Sequence, residues 1–298
     1  METRATNGRT FAQAYRDLAG FLLHSGSVVD TGHWQAMTDV PQTNTIELTG
    51  MTFHYDIPSG PAQLASDVRP STPWAEAQFR ERVSGEPLNP GRTYQLWPWF
   101  RGNVPQHQDE EEKFSHTYME RFWPRLAGDT YLGGYGIQHQ DQVGYGQQEN
   151  LGIRYRYGDL NDVIKLLARQ PFTRQAYLPV FFPEDTGAHH EERIPCTLGY
   201  HLMRRSDRLH VFYPIRSCDF FRHFSDDVYM AARLVQWVID QLTDNVEEGN
   251  ARNSWNQVYP GRLVMSISSL HVFEPERAKL RKLAYTGAEQ TEGYGAAV

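Results

Sequence analysis

Residues 194–221 read "IPCTLGYHLMRRSDRLHVFYPIRSCDFF", and this stretch decides the fold of the 298-residue chain. In it Leu209, Val211, Tyr213 and Ile215 alternate with His210, Phe212 and Arg216, the two-residue period of a strand with one buried face. A polar turn at Ser206 and Asp207 separates that run from an earlier apolar one, so the stretch predicts two hairpin-paired strands. Cys196 lies at the start of the first strand and Arg216 twenty residues later on the second, which makes them neighbours. A guanidinium beside a thiol favours the thiolate and prepares a nucleophile. A small buried hydrophobe, the commonest fate of a free cysteine, is the competing reading of Cys196.

Directly downstream, "IRSCDFFRHFSDD" (215–227) places a cation, a hydroxyl, a thiol and three acids just before the apolar run "VYMAARLVQWVIDQL". The run predicts a helix from about Asp226 to Leu242, burying Val228, Ala231, Val235, Val238 and Leu242 on one stripe. With Ser225 as N-cap, Asp226 and Asp227 fall in the first turn, where the helix dipole favours acids whatever their function.

Upstream, residues 10–26 carry Phe11, Tyr15, Leu18 and Leu22 at helical spacing, and residues 44–60 are β-rich up to a Pro-Ser-Gly turn. Residues 61–108 are rich in Pro, Gly and Trp and predict an irregular, inserted excursion with one helix, "PWAEAQFRERV". "DEEEKF" (109–114) is expected to open a helix through "SHTYMERFW", and residues 158–170 form an amphipathic one. "QAYLPVFF" (175–182) and "GRLVMSISSLHVF" (261–273) read as strands and "PERAKLRKLA" (275–284) as a last helix. The expectation is one α/β (α+β) domain over residues 1–298, with a twisted mixed sheet flanked by helices.

A net charge of −7 argues against binding a nucleic-acid polymer, which wants a basic face, but leaves room for one small anion. No apolar run approaches the ~20 residues that span a bilayer, and the first residues lack the apolar core of a secretory signal. Two cysteines, Cys196 and Cys218, make no disulfide framework. Together these predict a reduced, cytoplasmic protein. His189, His190, Glu191 and Glu192 lack metal-ligand spacing and read as a polar loop, so no metal is expected.

The Pro-Cys dipeptide followed at this interval by Arg-Ser-x-Asp resembles the catalytic core of the thymidylate synthase family. Residues 159–182 are similar to that family's helix, arginine and strand, "ERFWPRLAGDT" (120–130) to its Glu-x-x-Trp helix with Gly-Asp-Thr, and "SSLHVF" (268–273) to its His-x-Tyr strand. The likeness covers roughly residues 110–280. It implies a thymidylate synthase-like fold and a homodimer packed sheet to sheet. It implies Cys196 as the nucleophile for C6 of a pyrimidine nucleotide, with Arg216, Ser217 and the partner subunit's Arg174 on the phosphate. It also implies Glu120 organising water and proton transfer, Asp219 on the folate side, Tyr145 near C5 and His271 on the sugar hydroxyl.

The chain departs from the family pattern at informative places. Gln175 stands where a second arginine is usual and Phe273 where a tyrosine is, while residues 124–144 lack the tryptophans that flank the folate site. Asp227 replaces the asparagine that reads uracil. Uracil offers N3–H and O4, which an amide matches; cytosine offers the N4 amino group and an N3 acceptor. A carboxylate accepts from N4–H, and a neutral acid donates to N3. Protonation at N3 also absorbs the electron density that thiolate addition at C6 pushes into the ring. The replacement resembles the cytidylate hydroxymethylase branch. It implies conversion of CMP or dCMP to the 5-hydroxymethyl nucleotide with 5,10-methylenetetrahydrofolate, a folate-dependent one-carbon transfer. Methylation by the same cofactor, or a silent nucleotide-binding or structural relative, are the alternatives.

Overall fold

The computed structural model describes residues 2–5, 10–31, 44–98, 113–131, 158–186, 194–244 and 254–286. Seven strands form one mixed sheet: β1 (Glu2–Ala5), β2 (Ser27–Asp30), β3 (Asn44–Asp56), β4 (Tyr177–Pro179), β5 (Gly199–Arg205), β6 (Arg208–Asp219) and β7 (Tyr259–Phe273). Their order is β1-β3-β7-β6-β5-β4, and β3 takes antiparallel β2 along its first residues and parallel β1 along its second half. β6 and β7 run parallel; β3 with β7, β4 with β5, and β5 with β6 run antiparallel.

The predicted hairpin forms, with Ser206 in the left-handed region at φ 53° to close the turn. Gly199 lets β4 approach closely, because a Cβ there would meet the Leu178 carbonyl at 2.6 Å. In β6 the alternation holds: Leu209, Val211, Tyr213 and Ile215 are buried, while His210, Phe212, Pro214 and Arg216 are half-buried.

The helices cover the face that holds the first set. Phe224–Asp244 lies across β6 and β7 and buries Val228, Ala231, Val235, Val238 and Leu242, the stripe expected from the sequence. Its N-terminus differs from the expectation. The helix begins at Phe224, so Ser225 is its second residue rather than its cap. Asp219, five residues before it, organises the entry instead: its carboxylate accepts from the Phe221 and Arg222 amides, and its carbonyl from the His223 amide. Phe11–Ser25 and Leu160–Arg169 form where expected, each with a reciprocal capping box, from Thr10–Gln13 and Asp159–Asp162.

Two further expectations are corrected. "DEEEKF" does not open a helix at Lys113 and Phe114; the helix starts at Tyr118, where Thr117 offers a better cap than the charge run does. Residues 61–108, where they are described, are more regular than the one expected helix. They hold two helices, Pro61–Val68 and Trp74–Arg82, whose Leu64, Val68, Trp74, Ala75 and Phe79 join the cluster of buried side chains that runs from Phe11 to Leu280. Glu76 locks the second helix to the long one through a bidentate pair with Arg233 (3.0 and 3.1 Å) and the Tyr229 hydroxyl (2.8 Å).

Candidate active site

Cys196 precedes β5 and meets β6 as expected: Thr197 bridges Ile215, and the Arg216 amide donates to the Cys196 carbonyl at 2.9 Å. The thiol is half-buried. The Arg216 guanidinium donates from Nε to the Pro195 carbonyl and from Nη2 to the Ile194 carbonyl, both at 2.8 Å. It staples the segment that carries the cysteine, and Nη1 has no hydrogen-bond partner among the described residues. Ser217, half-buried on the same strand, lies in register with Ser269.

Asp227 comes from the first turn of the long helix, its amide donating to the His223 carbonyl at 2.7 Å. Its carboxylate does not turn back to that helix. It accepts from Cys218 Sγ at 3.6 Å, and the Tyr213 hydroxyl stabilises its charged form. Burial pushes Asp227 up to about 7, against the opposing pull of Arg82. A carboxyl in that condition accepts or donates a hydrogen bond at neutral pH. Neighbouring Asp226 accepts from the Ser71 amide at 2.7 Å and is also raised by burial.

Beneath Asp227 runs a line of hydroxyls. Thr197 Oγ1 donates to the Tyr118 hydroxyl at 3.1 Å and lies 2.8 Å from that of Tyr213, which stacks on Tyr200 at 4.8 Å. The Arg82 guanidinium sits 4.0 Å over the Tyr118 ring. Arg82, Tyr118, Thr197, Tyr213 and Cys218 were not among the site residues expected from the sequence. One signal pointed to Arg82: on "PWAEAQFRERV" it continues the buried positions Trp74, Ala75, Gln78 and Phe79.

The remaining candidates are spread around this centre. Asp219, buried, pairs with Arg222 Nη1 at 2.8 Å, and Arg222 also reaches Glu276 at 2.8 Å. With two backbone amides as well, three of its roughly four acceptor positions are taken, so a folate role for Asp219 rests on the resemblance alone. His271 stands opposite Asp219 on β7, and burial holds its imidazole towards the neutral form. Glu120 is the far member of the Thr117 capping box and also accepts twice from Asn89 at 3.1 Å; burial raises it despite these bonds. Arg174 is exposed, its backbone carbonyl tied to His201 Nε2 at 3.0 Å. Tyr145 lies outside the described residues, as do His189, His190, Glu191 and Glu192.

Two tryptophans of the 61–108 segment come near the start of the long helix. Trp97 stacks on His223 at 5.1 Å, one turn before Asp227, and Trp74 leans on Trp97. Among the described residues, no group of three or more His, Cys, Asp or Glu is arranged to hold a metal ion, and no helix is long and apolar enough to cross a membrane. No family model matches the chain, and no curated protein matches it significantly.

Proposed function

We propose that the chain is a thymidylate synthase-like cytidylate 5-hydroxymethyltransferase. The observation that carries the reading is Asp227: a buried carboxyl held near half-protonation in the first turn of the long helix, against Cys218 of β6, the strand that also pairs with the Cys196 segment. An acid in that state suits cytosine, accepting from N4–H when charged and donating to N3 when neutral. In this reading Cys196 adds to C6 and the negative charge spreads to C5 and N3, where Asp227 stabilises it. C5 then loses its proton after bond formation to carbon, and expulsion of Cys196 restores the ring. Methylenetetrahydrofolate, when bound, supplies a one-carbon unit at the oxidation level of formaldehyde, to which water adds to leave the hydroxymethyl group. Arg216 Nη1 and Ser217 are the groups in this chain for the phosphate, joined by Arg174 of a second copy.

The half-exposed second face of the sheet supports that dimer. Phe212, Pro214, Met203 and Val264 lie on it with Arg216 and His201, and none of them is fully buried. Exposed Arg174 lies beside His201 of that face, its backbone carbonyl 3.0 Å from the imidazole Nε2.

The test is tritium release from C5-labelled CMP or dCMP with methylenetetrahydrofolate, with the product mass recorded and dUMP run alongside. Tritium release with a product heavier by one CH2O unit supports the reading, and Cys196→Ala should fall to background while still binding nucleotide. A product heavier by CH2 would make the protein a methyltransferase; no release from any of the three nucleotides would sink the reading.

A further inference from the structure

The two carboxyl oxygens of Asp227 are not equivalent, because a buried thiol touches one of them. Cys218 is 1 % exposed, and β6 holds it in register with Leu270 of β7. The strand is fixed on both sides of it. The Arg216 amide donates to the Cys196 carbonyl at 2.9 Å, and the Phe220 amide to the His271 carbonyl at 2.8 Å. From this place Cys218 Sγ donates to Asp227 Oδ2 at 3.6 Å and lies 3.9 Å from the Asp219 carbonyl. Burial, and after it the Asp227 charge, push the thiol well above its ordinary range, so it stays S–H and remains a donor. The proposed reaction makes no use of this thiol, since its nucleophile is Cys196.

A carboxyl oxygen that carries the acid's own proton is a poor acceptor, whereas the other oxygen accepts whether the acid is charged or neutral. We propose that Cys218 is a positioning residue that assigns the two oxygens of Asp227, keeping Oδ2 as the acceptor and the proton of the neutral acid on Oδ1. The inference rests on the reading of Asp227 as the base-facing acid. In that reading Oδ1–H donates to cytosine N3, while Oδ2 takes N4–H on its second lone pair. A carboxyl free to carry its proton on either oxygen would offer the matching arrangement only part of the time. The thiol removes the mismatched one before a base arrives, which is preorganisation. Charged and titratable groups bear on this pair from each neighbouring element. The long helix brings Asp226, the Trp74–Arg82 helix Arg82, and the Tyr118–Phe122 helix Tyr118; β5 brings Tyr200, and β6 Tyr213 and Asp219, with Cys196 ahead of β5.

Infrared spectroscopy of the free protein tests this without requiring activity. Cys196→Ala leaves Cys218 as the one thiol of the chain, so its S–H stretch is read alone. With Oδ2 as acceptor, the band should lie below that of an unbonded thiol on both sides of the Asp227 midpoint at about 7. It should shift lower still as the carboxylate forms, because a charged acceptor makes the stronger bond. Asp227→Asn in the same background should hold the band still; should that variant not fold, the pH series alone decides. A band that ignores pH in Cys196→Ala overturns the inference, because the thiol then serves the Asp219 carbonyl. A band at the unbonded position on the acid side overturns it equally, because Oδ2 then carries the proton. Absence of tritium release with the band behaving as described would remove the proposed reaction and leave this assignment of the oxygens standing.

Discussion

Asp219 and Asp227 lie eight residues apart on one strand-to-helix connection, and their surroundings are opposite. Asp219 has Arg222 on one oxygen and two backbone amides on the other, with Arg222 also reaching Glu276. Asp227 has a thiol, a phenol and a distant cation, and burial drives it towards neutrality. Both acids were expected from the sequence to serve a ligand. The difference teaches that pairing separates an acid that builds a turn from one that is left to act. Asp219 fixes the entry to the helix, and that entry delivers Asp227 to its place beside Cys218.

The comparison breaks most sharply at Asp219. Asp219→Ala takes from the buried Arg222 its 2.8 Å carboxylate partner and frees two amides, which should cost about 3 kcal/mol in urea unfolding. A loss below about 1 kcal/mol would mean that the pair does not hold the turn.

Asp227→Asn should change stability in the other direction, with a pH signature. Its native midpoint of about 7 lies above that of an unfolded aspartate, so the native state keeps the proton longer. Stability contributed by the protonated acid is therefore full below pH ~4 and is lost as pH rises towards 7. Three units correspond to about 4 kcal/mol, and because the amide also buries polar atoms, a gain of about 2 kcal/mol at pH 8 and little at pH 4 is expected. Equal stability changes at both pH values would show that burial does not raise the acid.

A smaller effect sharpens the contrast from beneath. Thr197→Val keeps the shape of a fully buried side chain but removes the link between Tyr118 and Tyr213. It should cost about 1 kcal/mol and shift the pH dependence of any activity, because the hydroxyl line ends at Asp227. A variant with wild-type stability and pH profile would make the line incidental.

The sequence made the hairpin, the long helix and the nearness of Cys196 and Arg216 legible because each follows from a local period. β6 alternates up to Arg216, and the long helix keeps its stripe from Val228 to Leu242, about four turns. The duties of the charged residues were not legible, because they depend on partners far away in the chain. Asp226 meets Ser71 across 155 residues, Arg233 meets Glu76 across 157, and Thr197 meets Tyr118 across 79. The excursion misled for the same reason. Its first helix, Pro61–Val68, is only eight residues long with two buried side chains, Leu64 and Val68, and it packs against the long helix, so a Pro- and Trp-rich composition hid it. Ser225 resembled an N-cap because it precedes two acids, but Asp219 had already organised that turn.

The central claim is that Asp227 reads the base, and kcat/KM for cytidylate against uridylate in the wild type and in Asp227→Asn tests it most directly. The amide accepts from uracil N3–H and donates to O4, while the wild-type acid suits cytosine. A mismatched buried pair costs ~1–3 kcal/mol, so the ratio should move towards uridylate by about one to two decades, with the cytidylate rate falling as well. An unchanged ratio in a folded variant would contradict the account and leave Asp227 as a helix-start acid.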